Sequence, residues 1–302
     1  MSTPLRLLAF ALGLVAVFGA AVGVGAAVGP VGSVPEEPAH DMAADPEAGG
    51  HAEEGGHEAP DALPAGLQVS EGGYTLALDS DVLPAGTAIP LSFRILGPDG
   101  HAVTAFDVEH EEDLHLIAVR RDLSGYQHVH PELSRDGTWQ VPVDLTAGTW
   151  RVFADFVPSA DGVDRVLGAD LAVAGDHAPE PLPDPVATAE VDGYTVALVG
   201  ELVPGEESVL DLTVTRDGLP VTDLQPYLGA HGHLVALRQG DLAYLHVHPV
   251  EEDSSAPGPT VRFATTAPSA GSYRLFLDFR HGDVVRTAAF TVEVVPHEEA
   301  HE

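Results

Sequence analysis

A stretch of 17 residues occurs twice in this chain, and both copies carry three histidines at the same positions. The first copy, His115–Pro131, reads HLIAVRRDLSGYQHVHP, and the second, His233–Pro249, reads HLVALRQGDLAYLHVHP. The copies begin 118 residues apart, which is close to the length of one immunoglobulin-like domain. In a chain of 302 residues this repeat predicts a duplicated domain.

The agreement between the halves extends beyond the histidines. Gly73–Leu78 matches Gly193–Leu198, and Gly148–Phe156 matches Gly271–Phe279. From about residue 67 the chain alternates short runs rich in Val, Leu, Ile and Phe with Gly- and Pro-containing turn signals, which is typical of β-strands in a sandwich. The prediction is an all-β fold with two tandem immunoglobulin-like or cupredoxin-like β-sandwich domains. The predicted boundaries are a signal anchor at 1–34, a disordered acidic linker at 35–64, domain 1 at 65–175, a Pro-rich linker at 176–185, domain 2 at 186–296 and a disordered tail at 297–302.

The N-terminal segment predicts passage across a membrane. Residues 7–34 carry no charge, and about 20 apolar residues suffice to span a bilayer as a transmembrane helix. Arg6 precedes this stretch and acidic residues follow it, which places the N-terminus in the cytoplasm and the remaining chain outside. The alternative is a long signal peptide that is cut near Gly25–Ala27, which would give a secreted protein. We therefore expect a single-pass cell-membrane protein with an extracytoplasmic bulk, or a secreted one.

The acidic linker and the tail contain further histidines among carboxylates. They either gather metal ions loosely or are simply solvated, and the composition favours neither reading. These histidines are His40, His51, His57, His297 and His301.

The charge and the sulfur content exclude several classes of function. With 47 Asp and Glu against 13 Lys and Arg, the formal net charge is −34, which repels phosphate backbones and excludes nucleic acid as a partner. The chain has no Cys, so it has no disulfide, thiolate metal site or blue-copper centre. It has only two Met, which excludes a thioether site for Cu(I). A metal held here would have to suit nitrogen and oxygen ligands.

The repeated segment predicts a hairpin that gathers its histidines. If His115–Arg121 and Tyr126–His130 are the two arms, His115 lies opposite His130, and His128 is a diagonal neighbour. Side chains alternate along a strand, so the residue two positions before each first histidine joins the same face. Such ligands suit Cu(II) or Zn(II) without deciding between them. The predicted metal ligands are Asp113, His115, His128 and His130 in domain 1, and His231, His233, His246 and His248 in domain 2.

Three alternatives stay open for these histidines. Each set can bind one ion, which we prefer because each set is complete in its own hairpin. The two sets can also meet at one shared site between the domains. Finally, a duplicated domain inherits its histidines, and a His next to a Pro at a strand end can simply bond to a turn.

Asp155 and Asp278 occupy matching positions on two equivalent strands. The opposite face of each strand is apolar and is predicted to belong to the core. The residues of this face are Trp150, Val152, Ala154 and Phe156 in domain 1 and Tyr273, Leu275, Leu277 and Phe279 in domain 2. Each Asp can orient a ligating imidazole through a hydrogen bond. Pairing with Arg151 or Arg274, or holding a turn, is the alternative that we favour, because partly buried carboxylates are usually satisfied locally.

No catalytic motif is present. The segment His110–His115 resembles the zinc-peptidase pattern His-Glu-x-x-His, but its second histidine comes one position too late and no helix is predicted there. We therefore expect a protein that is not an enzyme; a metalloenzyme would need an open coordination position beside a general base.

The signature His-Leu-Ile/Val, then Tyr-x-His-Val-His-Pro, then Gly-x-Trp/Tyr-Arg-x-Phe-x-Asp-Phe resembles a group of bacterial extracytoplasmic β-sandwich proteins. They are loosely related to YtkA-like domains and are linked to heavy-metal handling, especially copper. The resemblance covers residues 67–173 and 186–295 and implies an immunoglobulin-like fold and an envelope location. It carries over to the three repeated histidines of each domain and to Asp155 and Asp278, whereas Asp113 and His231 follow only from strand alternation.

The sequence thus favours an extracytoplasmic protein that binds copper or zinc in metal buffering, delivery or sensing. Its expected partners are then a metal ion and the membrane through the anchor, with another envelope protein as a further candidate. The alternative is a non-metal module with immunoglobulin-like domains that binds another envelope protein.

Overall fold

The computed structural model describes residues 63–245, 247–250 and 256–295, which belong to one compact unit spanning Ala59–Glu302. The predicted anchor 1–34, most of the predicted linker 35–64 and the predicted tail 297–302 lie outside the described residues. Within the described ranges every regular element is a β-strand. A search of the same ranges finds no helix that is long and apolar enough to cross a membrane. The predicted all-β class with two tandem sandwich domains is confirmed.

Domain 1 forms a sandwich of two mainly antiparallel sheets. Its strands are β1 (Ser70–Glu71), β2 (Tyr74–Leu78), β3 (Val82–Pro84), β4 (Gly86–Leu96), β5 (Phe106–Asp107), β6 (His115–Arg120), β7 (Gln127–Val129), β8 (Glu132–Leu133), β9 (Trp139–Leu145), β10 (Gly148–Pro158) and β11 (Arg165–Ala174). One sheet has the order β1-β2-β4-β9-β8, the other has the order β3-β11-β10-β6-β7, and β5 pairs with β10. The runs β2-β4-β9-β8 and β11-β10-β6-β7 correspond to strands A-B-E-D and G-F-C-C′, the immunoglobulin-like arrangement.

Domain 2 repeats this arrangement. Its strands are β12 (Thr188–Val191), β13 (Tyr194–Val199), β14 (Glu207–Arg216), β15 (Leu219–Pro220), β16 (His233–Arg238), β17 (Tyr244–Leu245), β18 (Val247–Pro249), β19 (Thr260–Thr266), β20 (Gly271–His281) and β21 (Val284–Val294). The sheets have the orders β12-β13-β14-β19-β18 and β17-β16-β20-β21, with β15 paired to β14. Between β11 and β12, residues 175–187 form no strand.

Strand alternation builds a separate core in each domain. Along β10 the side chains of Trp150, Val152, Ala154 and Phe156 are at most 2 % exposed and pack inside domain 1. The matching side chains of β20, Tyr273, Leu275, Leu277 and Phe279, are fully buried inside domain 2. Both predicted core faces are confirmed.

A third apolar cluster joins the two domains. The outer face of an exposed sheet is normally polar, yet β6 is buried at all six positions. Ile117 and Phe153 on the outer face of domain 1 pack in one cluster with Leu237 and Phe276 of domain 2. Leu182, from the segment between the domains, packs against the same cluster. The two C-C′-F-G sheets therefore bury their outer faces against each other.

The contact between the domains is reciprocal. Tyr126 of domain 1 stacks on Phe276 of domain 2, with ring centroids 4.0 Å apart and planes only 6° from parallel. The equivalent Tyr244 of domain 2 lies against Phe153 of domain 1, with centroids 5.6 Å apart. Such an exchange of equivalent contacts is the pattern of a two-fold interface, here between duplicated domains in one chain. It brings the hairpin of domain 1 next to β16 and β20.

Candidate metal centre

The β6–β7 hairpin of domain 1 brings three of the predicted ligands together. Leu116 pairs with Val129 and Ile117 with His128, so that the ladder, continued by one residue, sets His115 opposite His130, as the spacing predicts. One ring nitrogen of each of His115, His128 and His130 lies within 4.8 Å of the other two. This cluster can hold a metal ion.

The hydrogen-bond partners fix which nitrogens face each other. His115 Nε2 lies 3.1 Å from the backbone oxygen of Glu109, which can only accept, so Nε2 carries the proton. His128 Nδ1 lies 3.0 Å from Asp278 Oδ2 and donates to this carboxylate. When both rings are neutral, the two remaining nitrogens are lone-pair acceptors. These are His115 Nδ1 and His128 Nε2, which are 3.1 Å apart.

The third imidazole has an unsatisfied nitrogen. Within the described part of the chain, His130 Nε2 is buried and has no hydrogen-bond partner. Its Nδ1 lies 4.0 Å from Glu112 Oε1. A buried polar atom without a partner costs free energy, so this nitrogen is suited to receive a ligand.

Burial keeps His115 and His130 in the uncharged form that binds metals. Desolvation, reinforced by the neighbouring His128, lowers the pKa of His115 to about 3 and that of His130 to about 4. Both rings are therefore neutral at pH 7, and a metal does not have to displace a proton from either of them.

Asp278 orients the cluster from domain 2. This residue is 2 % exposed, and its carboxylate accepts from His128 Nδ1 at 3.0 Å, from the Tyr126 hydroxyl at 3.3 Å and from the Thr287 hydroxyl at 2.5 Å. Arg274, the alternative partner predicted for it, donates to Thr291 instead. Of the two alternatives, the geometry favours the one in which Asp278 positions an imidazole.

Asp155, the equivalent residue of domain 1, has a different environment. Burial, followed by the neighbouring Asp164, raises the pKa of Asp155 well above its ordinary value, and its side chain also hydrogen-bonds to Tyr244. Arg151, its predicted partner, donates to Asp170 and to backbone oxygens such as that of Gly66. Asp155 therefore carries a proton under conditions where an ordinary Asp is ionised.

The second predicted set is arranged differently from the first. Ala236 pairs with Leu245, a register that would set His233 opposite His248 if it continued. However, the chain crosses to the other sheet at Val247, and His248 pairs with Ala264 of β19. The second hairpin is therefore shorter than predicted. His246 and the side chain of His248 lie outside the described residues.

His233 lies beside the cluster of domain 1. Its Nε2 donates to the backbone oxygen of Tyr227 at 2.8 Å, and its ring centroid is 6.3 Å from that of His128. Burial lowers the pKa of His233 to about 4. This placement favours the alternative of one shared centre at the domain boundary over two separate sites.

Two predicted ligands are not part of the described cluster. Asp113 is exposed and is absent from the group formed by His115, His128 and His130. Strand β6 begins only at His115, so the alternation that suggested Asp113 does not reach it. His231 is likewise outside this group and precedes the first residue of β16.

A tight turn before β6 adds residues that the sequence did not indicate. Glu109 and Glu112 exchange backbone hydrogen bonds at 3.0 Å around His110 and Glu111, whose φ angles are 48° and 69°. The left-handed region costs a residue with a Cβ of order 1 kcal/mol. The turn supplies the Glu109 oxygen that binds His115, places Glu112 near His130, and sets the ring of His110 6.1 Å from that of His115. In the sequence, His110 stands out only as part of the rejected zinc-peptidase pattern.

Comparison with known proteins identifies the family and leaves the function open. The family described as Domain of unknown function (DUF8832) matches residues 68–175 and again 189–296, and the chain belongs to this family. The tandem repeat of an uncharacterised domain is thereby confirmed, whereas the resemblance to YtkA-like domains stays a prediction. No curated protein matches.

Three solved structures have a remote likeness to this chain. A DUF4426 family protein from Pseudomonas aeruginosa is 12 % identical, with a TM-score of 0.27, over 37 % of this chain and 95 % of that one. The adhesin FdeC of Escherichia coli is 12 % identical, with a TM-score of 0.24, over 78 % of this chain and 66 % of that one. Domains 4 and 5 of the S-layer protein SbsC are 12 % identical, with a TM-score of 0.24, over 76 % of this chain and 99 % of that one.

Proposed function

We propose that this protein binds a divalent metal ion, Cu(II) or Zn(II), at His115, His128 and His130, and that it buffers, delivers or senses this metal outside the cytoplasm. One observation carries the proposal. His115 Nδ1 and His128 Nε2 face each other at 3.1 Å while the other nitrogen of each ring is already engaged. Two lone pairs at this distance repel unless a proton or a metal ion lies between them, and the nearby His130 would give a metal ion at this point a third imidazole.

The spacing of these nitrogens fits one ion. Imidazole nitrogens bind Zn(II) at about 2.0–2.1 Å, so two of them 3.1 Å apart would subtend roughly 100° at the ion. This value lies between the tetrahedral angle preferred by zinc and the right angle of tetragonal copper. The buried Nε2 of His130 provides a third ligand. The Asp278 carboxylate would orient His128 and partly offset the charge of the ion.

The location outside the cytoplasm rests on the sequence of residues 1–34, as an uncleaved anchor or a cleaved signal. The acidic surface, with its net charge of −34, attracts cations. The histidines of the linker and the tail would raise the local concentration of ions near the centre.

A second candidate function is an envelope module that binds another protein without metal. A cavity of about 470 Å³ on domain 1, lined by Tyr126, Leu145, Trp150 and neighbouring residues, supports this candidate. The mostly apolar lining is the kind of surface to which an apolar side chain of a partner binds.

A calorimetric titration with Zn(II) and with Cu(II) tests the first proposal. The wild type is compared with the double variant His128→Ala/His130→Ala and with His101→Ala, which removes an exposed histidine of the same domain. A weak competing chelator suppresses loose binding by the other histidines. Loss of a hydrogen bond that orients a metal ligand typically lowers metal affinity by roughly 10- to 100-fold. The double variant loses two ligands, so we expect its metal affinity to fall by more than this. Equal titrations of the wild type and the double variant would exclude this centre and leave the interaction module.

A further inference from the structure

The turn that carries His110 differs from its counterpart in domain 2. There, Tyr227 and Ala230 exchange the backbone hydrogen bonds, and the left-handed positions are filled by Leu228 and Gly229. Glycine adopts such backbone angles freely, whereas Glu111, which matches Gly229, does not. The turn of domain 1 is therefore not explained by what its backbone prefers. Residues held in such strained conformations are concentrated at functional sites.

The strained turn places His110 between the two domains. Its ring centroid lies 5.3 Å from that of His233 in domain 2 and 6.1 Å from that of His115. Ring centroids within the cluster of His115, His128 and His130 are 5.0–5.4 Å apart. The pair His110–His233 thus has the separation of rings that can share one ion.

The second ring nitrogen of His233 and a small cavity complete the arrangement. His233 donates from Nε2 to the backbone oxygen of Tyr227, so Nδ1 is the nitrogen with a lone pair. A cavity of about 70 Å³ is lined by His110, His115, His128 and His233, with Asp155 and Tyr244 also in its wall. This volume exceeds the roughly 30 Å³ that one water molecule occupies in the liquid, so it has room for an ion with a bound water.

We propose that His110 and His233 hold a second divalent ion next to the first, so that the centre accepts two ions and spans both domains. The inference rests on the proposed function and deepens it. The second position has two imidazoles, completed by water, and is weaker than the three-imidazole position. An ion there lies at the boundary between the domains, next to the wider cleft of about 310 Å³ that is lined by Glu109, Glu112 and Asp164. It is therefore an entry and exit position, as a buffering or delivery protein requires.

Electron paramagnetic resonance of the full chain with Cu(II) as the probe tests this inference. One equivalent of Cu(II) should give the spectrum of an isolated ion with nitrogen ligands. A second equivalent should add a half-field signal, which arises only when two Cu(II) ions are close enough to couple. His110→Gly should lose the half-field signal and keep the first spectrum. This variant also suits the left-handed backbone, so misfolding is not a concern. The control variant His101→Ala should keep both the first spectrum and the half-field signal.

The outcomes separate the two proposals. If His128→Ala leaves the first spectrum unchanged, the cluster is not the primary site and both proposals fail. If the first spectrum depends on His128 but two equivalents give no half-field signal, or His110→Gly retains that signal, only the second position is overturned. A first spectrum that changes in His110→Gly would also overturn it, because His110 would then be a fourth ligand of a single ion.

Discussion

Replacement of Asp278 by Asn tests whether domain 2 tunes the metal centre proposed for domain 1. The two side chains are nearly the same size. The amide oxygen of Asn can replace Oδ2, which accepts from His128 and Tyr126, and the Thr287 hydroxyl can accept from the amide nitrogen instead of donating to Oδ1. The substitution therefore keeps the shape and removes the charge.

The expected loss follows from the change in one hydrogen bond. A hydrogen bond to a charged group contributes about 1.5–3 kcal/mol and a neutral one about 0.5–1.5 kcal/mol. The midpoints of these ranges differ by about 1.3 kcal/mol, so Asp278→Asn should weaken metal binding through His128 by roughly tenfold. Competition titrations with a chelator of known affinity at pH 7.5 measure this change, and thermal unfolding without metal verifies that the variant is folded.

Asp155→Asn is the matched control. It alters the equivalent residue on the equivalent strand. Because the pKa of Asp155 is raised, this carboxyl is protonated more readily than an ordinary Asp, so its replacement by Asn removes less charge. Its metal affinity should stay within about threefold of the wild type, less than the loss of an orienting hydrogen bond causes. Equal affinities of Asp278→Asn and the wild type, or equal losses in both variants, would refute the role of Asp278.

The remaining predictions concern stability. Burial lowers the pKa of His130 to about 4. Between that value and about 6.5 the unfolded chain therefore binds more protons than the folded protein, and stability falls as the pH is lowered. From pH 7 to pH 5 the wild type should therefore lose roughly 2 kcal/mol more than His130→Gln in denaturant titrations, and equal losses would contradict this. Trp150→Ala should cost about 3–5 kcal/mol in thermal unfolding because Trp150 is 1 % exposed, whereas Val199→Ala, at 65 % exposed, should change stability by less than about 0.5 kcal/mol. Phe276→Ala removes the ring under Tyr126 and should cost about 3 kcal/mol or more in urea unfolding, and a loss below about 1 kcal/mol would show that the domains do not depend on this contact.

Local patterns predicted the fold and half of the site. Alternation along β10 and β20 identified the core faces, and the spacing from His115 to His130 predicted the register of the first hairpin. Both features depend only on the two-residue period of a strand, which a single sequence records directly.

The contacts between the domains could not be predicted in the same way. His128 meets Asp278 across 150 residues of chain, and no local pattern connects them. The unbroken apolar run Leu116–Val119 was an available signal, because a strand that is buried on both faces lacks alternation. The left-handed turn at His110 gave no such signal, because the pair His-Glu does not mark a turn in a sequence as Asn-Gly or Asp-Gly does.

The most direct test of the central claim is a crystal structure of the protein soaked with one equivalent of Zn(II) or Cu(II), with anomalous data collected at the metal edge. We predict one dominant anomalous peak at bonding distance from His115 Nδ1, His128 Nε2 and His130 Nε2. Peaks confined to surface carboxylates, with no density between these three nitrogens, would contradict it.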